Sequence, residues 1–229
     1  ALHEFAAVNC QLSGGHSMQG PELSLGFTVN GVPIAADGKL LGKVGAAPGD
    51  QLILTKPLGT GVLFAGHMQL AADGRDVSAA ASAMLQSNSA AAELALMHRA
   101  TACTDITGFG LLGHLLEMLA QGHAARLELA ALPLLNGAIQ QIHGGVVSTM
   151  HDANQRAGGH FLAHAELLDN ARKQILFDPQ TSGGLLIAIP ANRAPALCEA
   201  LQNSGYREAR IIGEILARTS SRSTLVQLD

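Results

Sequence analysis

The run Thr104-Asp105-Ile106-Thr107-Gly108-Phe109-Gly110-Leu111-Leu112-Gly113-His114 constrains the fold more tightly than any other part of the chain. It sets one carboxylate in a glycine-spaced turn and follows it at once with an apolar helical pattern, so the turn has to pack closely against its surroundings. Two roles suit Asp105. It can cap the coming helix, as aspartate commonly does. Or it can hold a divalent cation, while the glycines let phosphate oxygens approach backbone N–H groups and the helix offers its positive end. The residues alone leave both open.

Around this turn, Gln51-Leu52-Ile53-Leu54-Thr55 reads as a buried strand, then a tight loop over Lys56–Gly61 and a helix over 62–67, the order of an α/β layer. The loop has the spacing of neither a P-loop nor a dinucleotide fingerprint. Residues 75–102 are rich in alanine and leucine and read as one or two helices, and the helix after the Asp105 turn runs to about residue 121. Further strands are expected at 125–129, 185–189, 211–214 and 224–227, and further helices at 135–142, 160–175 and 194–204. Residues 144–159 are polar and without period, and read as a surface loop.

At the front, a helical pattern over Leu2, Phe5, Ala6 and Val8 leads through Ser13-Gly14-Gly15-His16-Ser17 to an alternating strand at Leu23, Leu25, Phe27 and Val29. One helix, one loop and one strand cannot close a core. A boundary is therefore expected in the glycine-rich stretch that follows, dividing 1–47 from 48–229. The first helix opens without a capping residue, which reads as a chain whose front has been removed.

Composition excludes several classes. A net charge of −4 with 3% aromatic residues provides neither the basic field nor the stacking platform of a nucleic-acid binder. The buried-looking run Leu185–Ile189 is far shorter than the roughly 20 residues that span a bilayer, and no signal peptide opens the chain. Neither nucleic acid nor membrane is expected as a partner, and a cytoplasmic location is. Cys10, Cys103 and Cys198 are far apart and form no Cys-x-x-Cys pair, so buried free thiols without a catalytic role are expected. His160 and His164 are four apart with His151 nearby, but a fourth ligand and a His-Glu-x-x-His pattern are both missing, so they read as exposed or capping histidines.

Three strings recur in order in one family: Gly14-Gly15-His16-Ser17, the run Thr104–His114, and Asp178-Pro179-Gln180-Thr181-Ser182-Gly183-Gly184-Leu185-Leu186. With the loop Leu54–Gly61, they make the whole chain resemble selenophosphate synthetase (selenide, water dikinase), of the aminoimidazole ribonucleotide synthetase-like superfamily. The resemblance implies an α+β fold: 1–47 as the remainder of an ATP-binding and dimerisation domain, then a C-terminal mixed-sheet α/β-layered domain over 48–229. It implies a homodimer that uses ATP, selenide and water to make selenophosphate, AMP and phosphate with Mg²⁺. Asp105 matches the family's metal-binding aspartate, and Gly15, His16 and Ser17 match its nucleotide-phosphate loop. No catalytic residue is assigned within the chain. The family's N-terminal segment, with a reactive cysteine or selenocysteine, a lysine and further aspartates, does not precede Ala1, so this chain alone is expected to be inactive. Two other readings stay open: another ATP-dependent kinase or synthetase of the superfamily, and a non-catalytic dimerising paralogue. Asp178–Gly184 reads either as a turn whose glycines let the backbone pass close to a neighbour or as a wall of the active-site cleft facing Asp105, with Asp178 not assigned as a ligand, and His114 reads as a helix residue packed beneath the site.

Overall fold

A computed structural model describes residues 2–33, 38, 40–119, 122–163, 170–218 and 225–229. The chain forms two compact units, Ala1–Gly38 and Lys39–Asp229.

In the first unit, helix α1 (Leu2–Ala7) closes in a turn where the Cys10 amide donates to the Phe5 carbonyl at 2.8 Å. The Phe5 ring meets Phe27 edge-on at 5.7 Å. The strand expected at Leu23, Leu25, Phe27 and Val29 is not formed, and all four side chains are exposed. The alternation is that of a strand with one apolar face. A strand exists only through its ladder, and no described residue pairs with this one.

In the second unit, seven strands among the described residues make one mixed sheet: β1 (Asp50–Leu54), β2 (Ala102–Asp105), β3 (His123–Leu127), β4 (Leu162–Ala163), β5 (Leu185–Pro190), β6 (Arg210–Ala217) and β7 (Val226–Leu228), in the order β2-β5-β1-β6-β3-β7-β4. β5 runs antiparallel to both β1 and β2, so the C-terminal ends of β1 and β2 and the start of β5 share one sheet edge. The loops after β1 and β2 and the loop before β5 therefore meet there.

Both faces of the sheet are covered, which explains why Leu52–Leu54 of β1 and Leu185–Ile189 of β5 are apolar in unbroken runs rather than alternating. On one face Leu52, Leu54, Leu186 and Ala188 pack with Val62 and Leu63 of α2 (Thr60–Met68), Ala80 of α3 (Gly74–Leu85) and Leu111, Leu112 and Leu115 of α5 (Gly110–Met118). On the other face Ile53, Ile187 and Ile189 pack with Ala91 and Ala95 of α4 (Ser89–Met97) and Leu197 and Leu201 of α9 (Ala194–Asn203). The alanines of α4 let it lie close to the sheet. Tyr206 joins the two covering helices, since its hydroxyl accepts from the Ala91 amide at 3.1 Å and donates to the Ser87 carbonyl at 2.7 Å. No helix of the described residues is long and apolar enough to cross a membrane.

Three elements differ from the sequence reading. The alanine-rich stretch makes α3 and α4 but its helix ends at Met97, five residues short of the expected 102, and β2 occupies Ala102–Asp105, where the end of that helix and the start of the turn were expected. Four residues are too few to show a period, and β2 is held by its register with β5, Ala102 against Ala188. The expected loop 144–159 contains α7 (His151–Gly158). Its buried positions, at i, i+3 and i+7, are His151, Asn154 and Gly158, so its inward face carries no apolar signal. The helix expected from residue 160 starts as a single 3₁₀ turn and becomes β4, and helix returns in α8 (Asn170–Gln174). The remaining helix of the set, α6 (Ala138–His143), begins three residues later than expected. His164 lies outside the described residues.

Candidate active site

The site is built where the three loops meet. Asp105 is the last residue of β2, and its side chain is exposed. The helix after it starts only at Gly110, with Phe109 at the N-cap and no side-chain cap. Asp105 therefore does not cap α5, which removes one of its two readings. Oδ2 accepts a hydrogen bond from Thr107 Oγ1 at 3.1 Å, and Oδ1 has no hydrogen-bond partner among the described residues.

The turn that carries Asp105 is held by backbone contacts on three sides. The Ile106 amide donates to the Gly184 carbonyl, and the Gln180 amide to the Thr107 carbonyl, both at 2.9 Å. Asn154 Nδ2, from the unforeseen α7, donates to the Gly108 and Phe177 carbonyls at 2.9 and 3.0 Å. Two glycines of the matched strings are required by these approaches. Gly110 has φ +69°, and a Cβ there would press on the Leu176 and Asp178 carbonyls. A Cβ on Gly183 would overlap the Ile106 carbonyl oxygen.

Gln180 ties the other two loops together. It is 4% exposed; its Oε1 accepts from the Gly59 amide at 3.0 Å, the Thr60 amide at 3.2 Å and Thr60 Oγ1 at 3.1 Å. Its Nε2 donates to the Asp178 carbonyl at 2.8 Å and to Asp178 Oδ2 at 2.9 Å. The start of α2 is thus capped by a side chain from a distant loop, which satisfies its first two orphan amides. Lys56 adds a second tie, donating to the Ser182 and Gln86 carbonyls at 3.0 and 2.6 Å, and its burial lowers its pKa. Sequence reading missed Gln180 and Lys56 as organising residues. Their only signal was membership in the matched strings, because their partners are far away along the chain.

Asp178 is buried, and this pushes its pKa up to about 7; the Gln180 hydrogen bond and the Val62 and Gly61 amides oppose the rise. Its Oδ1 makes no well-aligned hydrogen bond, which agrees with burial winning. It is a structural carboxyl buried beneath the start of α2. Unfolded, it would release its proton near 3.8; folded, it keeps the proton to about pH 7. The folded state binds more protons in that window, so this group's contribution is full below about pH 4 and is lost as pH rises toward 7. Asp178→Asn is expected to remove that loss. In urea unfolding at pH 5 and pH 7.5 the variant should gain relative to the wild type at the higher pH; parallel curves would show that Asp178 is not the group responsible.

Cys103, just before the site strand end, is driven up to about 12 by burial first and by the Asp105 charge second, so it stays a protonated thiol. His151, expected to be exposed or capping, is instead buried edge-on against Phe177, whereas His160 is exposed. Among the described residues no group of three His, Cys, Asp or Glu side chains could hold a metal. Gly15, His16 and Ser17 stand exposed in a loop of the first unit, and nothing lies within 4 Å of a Cβ placed on Gly15, so packing does not account for glycine there. A cavity of about 360 Å³ opens beside the start of α2, lined by Thr60, Phe64, Met68, Ser148 and Thr181. A larger hollow of about 630 Å³, by Asp76 and Gly137, contains none of the matched strings.

The fold recurs in solved structures. Hydrogenase maturation protein HypE in complex with ATP matches with a TM-score of 0.53 and 17% identity, over 80% of this chain and 48% of that one. Thiamine-monophosphate kinase from Stenotrophomonas maltophilia matches with a TM-score of 0.56 and 22% identity, over 85% of this chain and 54% of that one. These likenesses define the class of fold, a mixed sheet layered with helices. Residues 47–226 match the family described as AIR synthase related protein, C-terminal domain, and the chain belongs to that family. At the level of sequence it is similar to selenide, water dikinase of Trichlorobacter lovleyi, 41% identical over 222 residues, covering 95% of this chain and 61% of the relative. The same named protein from Shewanella sp. (strain MR-4) is 38% identical over 217 residues, with 94% and 60% coverage. The chain thus spans about three fifths of the length of these relatives.

Proposed function

We propose that the protein makes selenophosphate from ATP, selenide and water, releasing AMP and phosphate, as a cytoplasmic homodimer. The observation that carries this reading is the 41% identity with a selenide, water dikinase over nearly the whole chain. The braced turn that presents Asp105 supports it. In this reading 1–47 belongs to the nucleotide-binding and dimerisation half and 48–229 is the C-terminal domain.

Asp105 suits Mg²⁺ in charge, in its hard oxygen donors and in having Oδ1 uncommitted. A single carboxylate is compatible with this ion, which leans on one or two carboxylates and takes its other ligands from water and substrate phosphates. Bound there, Mg²⁺ would neutralise charge on the transferring phosphates. Asp105 holds its carboxylate at the sheet edge, and the Gln180 and Asn154 contacts keep the turn from shifting. The Gly15 and His16 amides and the Ser17 hydroxyl would donate to phosphate oxygens, a role for neutral donors that the open space at Gly15 permits.

The test is phosphorus NMR on the protein at the full length of its relatives, kept anaerobic with Mg²⁺, ATP and selenide. A selenide-dependent phosphorus resonance with AMP is expected. ADP, or unchanged ATP, would overturn the reading in favour of another superfamily kinase or a non-catalytic paralogue.

A further inference from the structure

A row of polar side chains runs behind Asp105 and is not explained by holding the turn together. Thr107 Oγ1 donates to Asp105 Oδ2 at 3.1 Å and lies 3.2 Å from His114 Nε2. Thr107 has one hydroxyl hydrogen, and with that hydrogen on Asp105 its oxygen can only accept, so His114 must present an Nε2–H. His114 Nδ1 lies 3.4 Å from Glu117 Oε2 without aligning as a hydrogen bond, and the same oxygen accepts from Lys43 Nζ at 2.7 Å. The row therefore reads Asp105, Thr107, His114, Glu117, Lys43.

His114 is out of place by packing alone. It is 4% exposed on a helix whose other large buried side chains are Leu111, Leu112, Leu115 and Met118. A leucine would fill the same layer without burying a ring nitrogen that finds no aligned partner, a cost that buried polar groups carry in general. What the imidazole offers and leucine lacks is a fixed N–H aimed at Thr107. One side of its ring lies against Phe109, at 5.5 Å between centroids, and Nδ1 faces Glu117, which Lys43 holds in turn.

We infer that His114 is a positioning residue: acting through Thr107, it holds the exposed Asp105 carboxylate in one orientation, with Oδ2 engaged and Oδ1 left for a divalent cation. The inference rests on the reading of Asp105 as a metal ligand. An exposed aspartate at a strand end samples several rotamers, and a ligand held ready binds without the ordering cost. Partners of this indirect kind typically change metal affinity by roughly 10- to 100-fold when removed.

The experiment is a Mn²⁺ titration followed by electron paramagnetic resonance on the full-length protein, with thermal midpoints measured on the same samples. Asp105→Asn, Thr107→Val, Thr107→Ser, His114→Leu and His114→Gln are compared. Thr107→Val and His114→Leu should each weaken Mn²⁺ binding by roughly 10-fold or more. Thr107→Ser keeps the hydroxyl and His114→Gln keeps an N–H donor, and both should recover most of the affinity. If His114→Leu fails to fold, Thr107→Val carries the test, since Thr107 is only half-buried and valine matches its shape. Loss of affinity in Asp105→Asn with wild-type affinity in Thr107→Val would overturn the positioning role alone, as would a lowered midpoint without loss of affinity. Wild-type affinity in Asp105→Asn would overturn the metal reading itself, and the inference with it.

Discussion

Asp105→Asn, made in the full-length protein, is expected to lower kcat/KM by about 100-fold or more while the thermal midpoint stays within about 2 °C of the wild type. The loss corresponds to about 2.7 kcal/mol of transition-state stabilisation, modest for a group proposed to hold an ion against transferring phosphates. The fold is spared because the side chain is exposed at the end of β2 and an amide oxygen can still accept from Thr107. What the substitution removes is the negative charge and one hard oxygen donor. Steady-state kinetics beside a melting curve separate the two effects. Normal turnover would take Asp105 out of the active site, and a collapsed midpoint would make its role structural.

Gln180→Leu should have the largest effect on stability, a loss of about 3–5 kcal/mol in urea unfolding. Leucine has similar bulk but leaves three donors at the start of α2, the Gly59 and Thr60 amides and the Thr60 hydroxyl, without their acceptor in a buried place. Each such donor costs about 1–3 kcal/mol when it finds no replacement, and water entering the gap would recover part of the total. Asp178 loses its Nε2 donors at the same time. Gln180→Glu distinguishes lost shape from lost chemistry. It keeps an acceptor for α2 but sets a second carboxyl against Asp178, so it should be weak at neutral pH and recover as the pH falls and the pair takes up a proton. A Gln180→Leu protein within about 0.5 kcal/mol of the wild type would show that the three loops are held by the strands alone.

How far the sequence could be read depended on whether the deciding interaction was local. The buried strands β1 and β5 and the helices α2, α5 and α9 were legible, since each carries its apolar pattern within a single window. Asp105 was legible too, because turn, glycines and helix lie side by side in one run. α7 was not, for its inward face is made of His151, Asn154 and Gly158, which pack on the Phe177 ring, bond to the Gly108 and Phe177 carbonyls and lie against Leu112 respectively, contacts that their own hydropathy does not announce. β2 was not either, since its four residues owe their form to β5. The expected strand at Leu23–Val29 shows the converse, a clear local pattern that forms no ladder because pairing is a property of two segments.

By itself the sequence determined which segments could be buried, where the backbone had to turn, and that a glycine-spaced turn would follow one carboxylate. Only the tertiary structure decided that Asp105 ends a strand instead of capping a helix, that Gln180 closes the α2 end 121 residues before it, and that Lys43 reaches Glu117 across 74 residues, beside His114. The reason is physical: hydropathy and turn propensity act between neighbours in the chain, whereas a hydrogen bond between distant residues exists only after the sheet has brought their loops to the same edge.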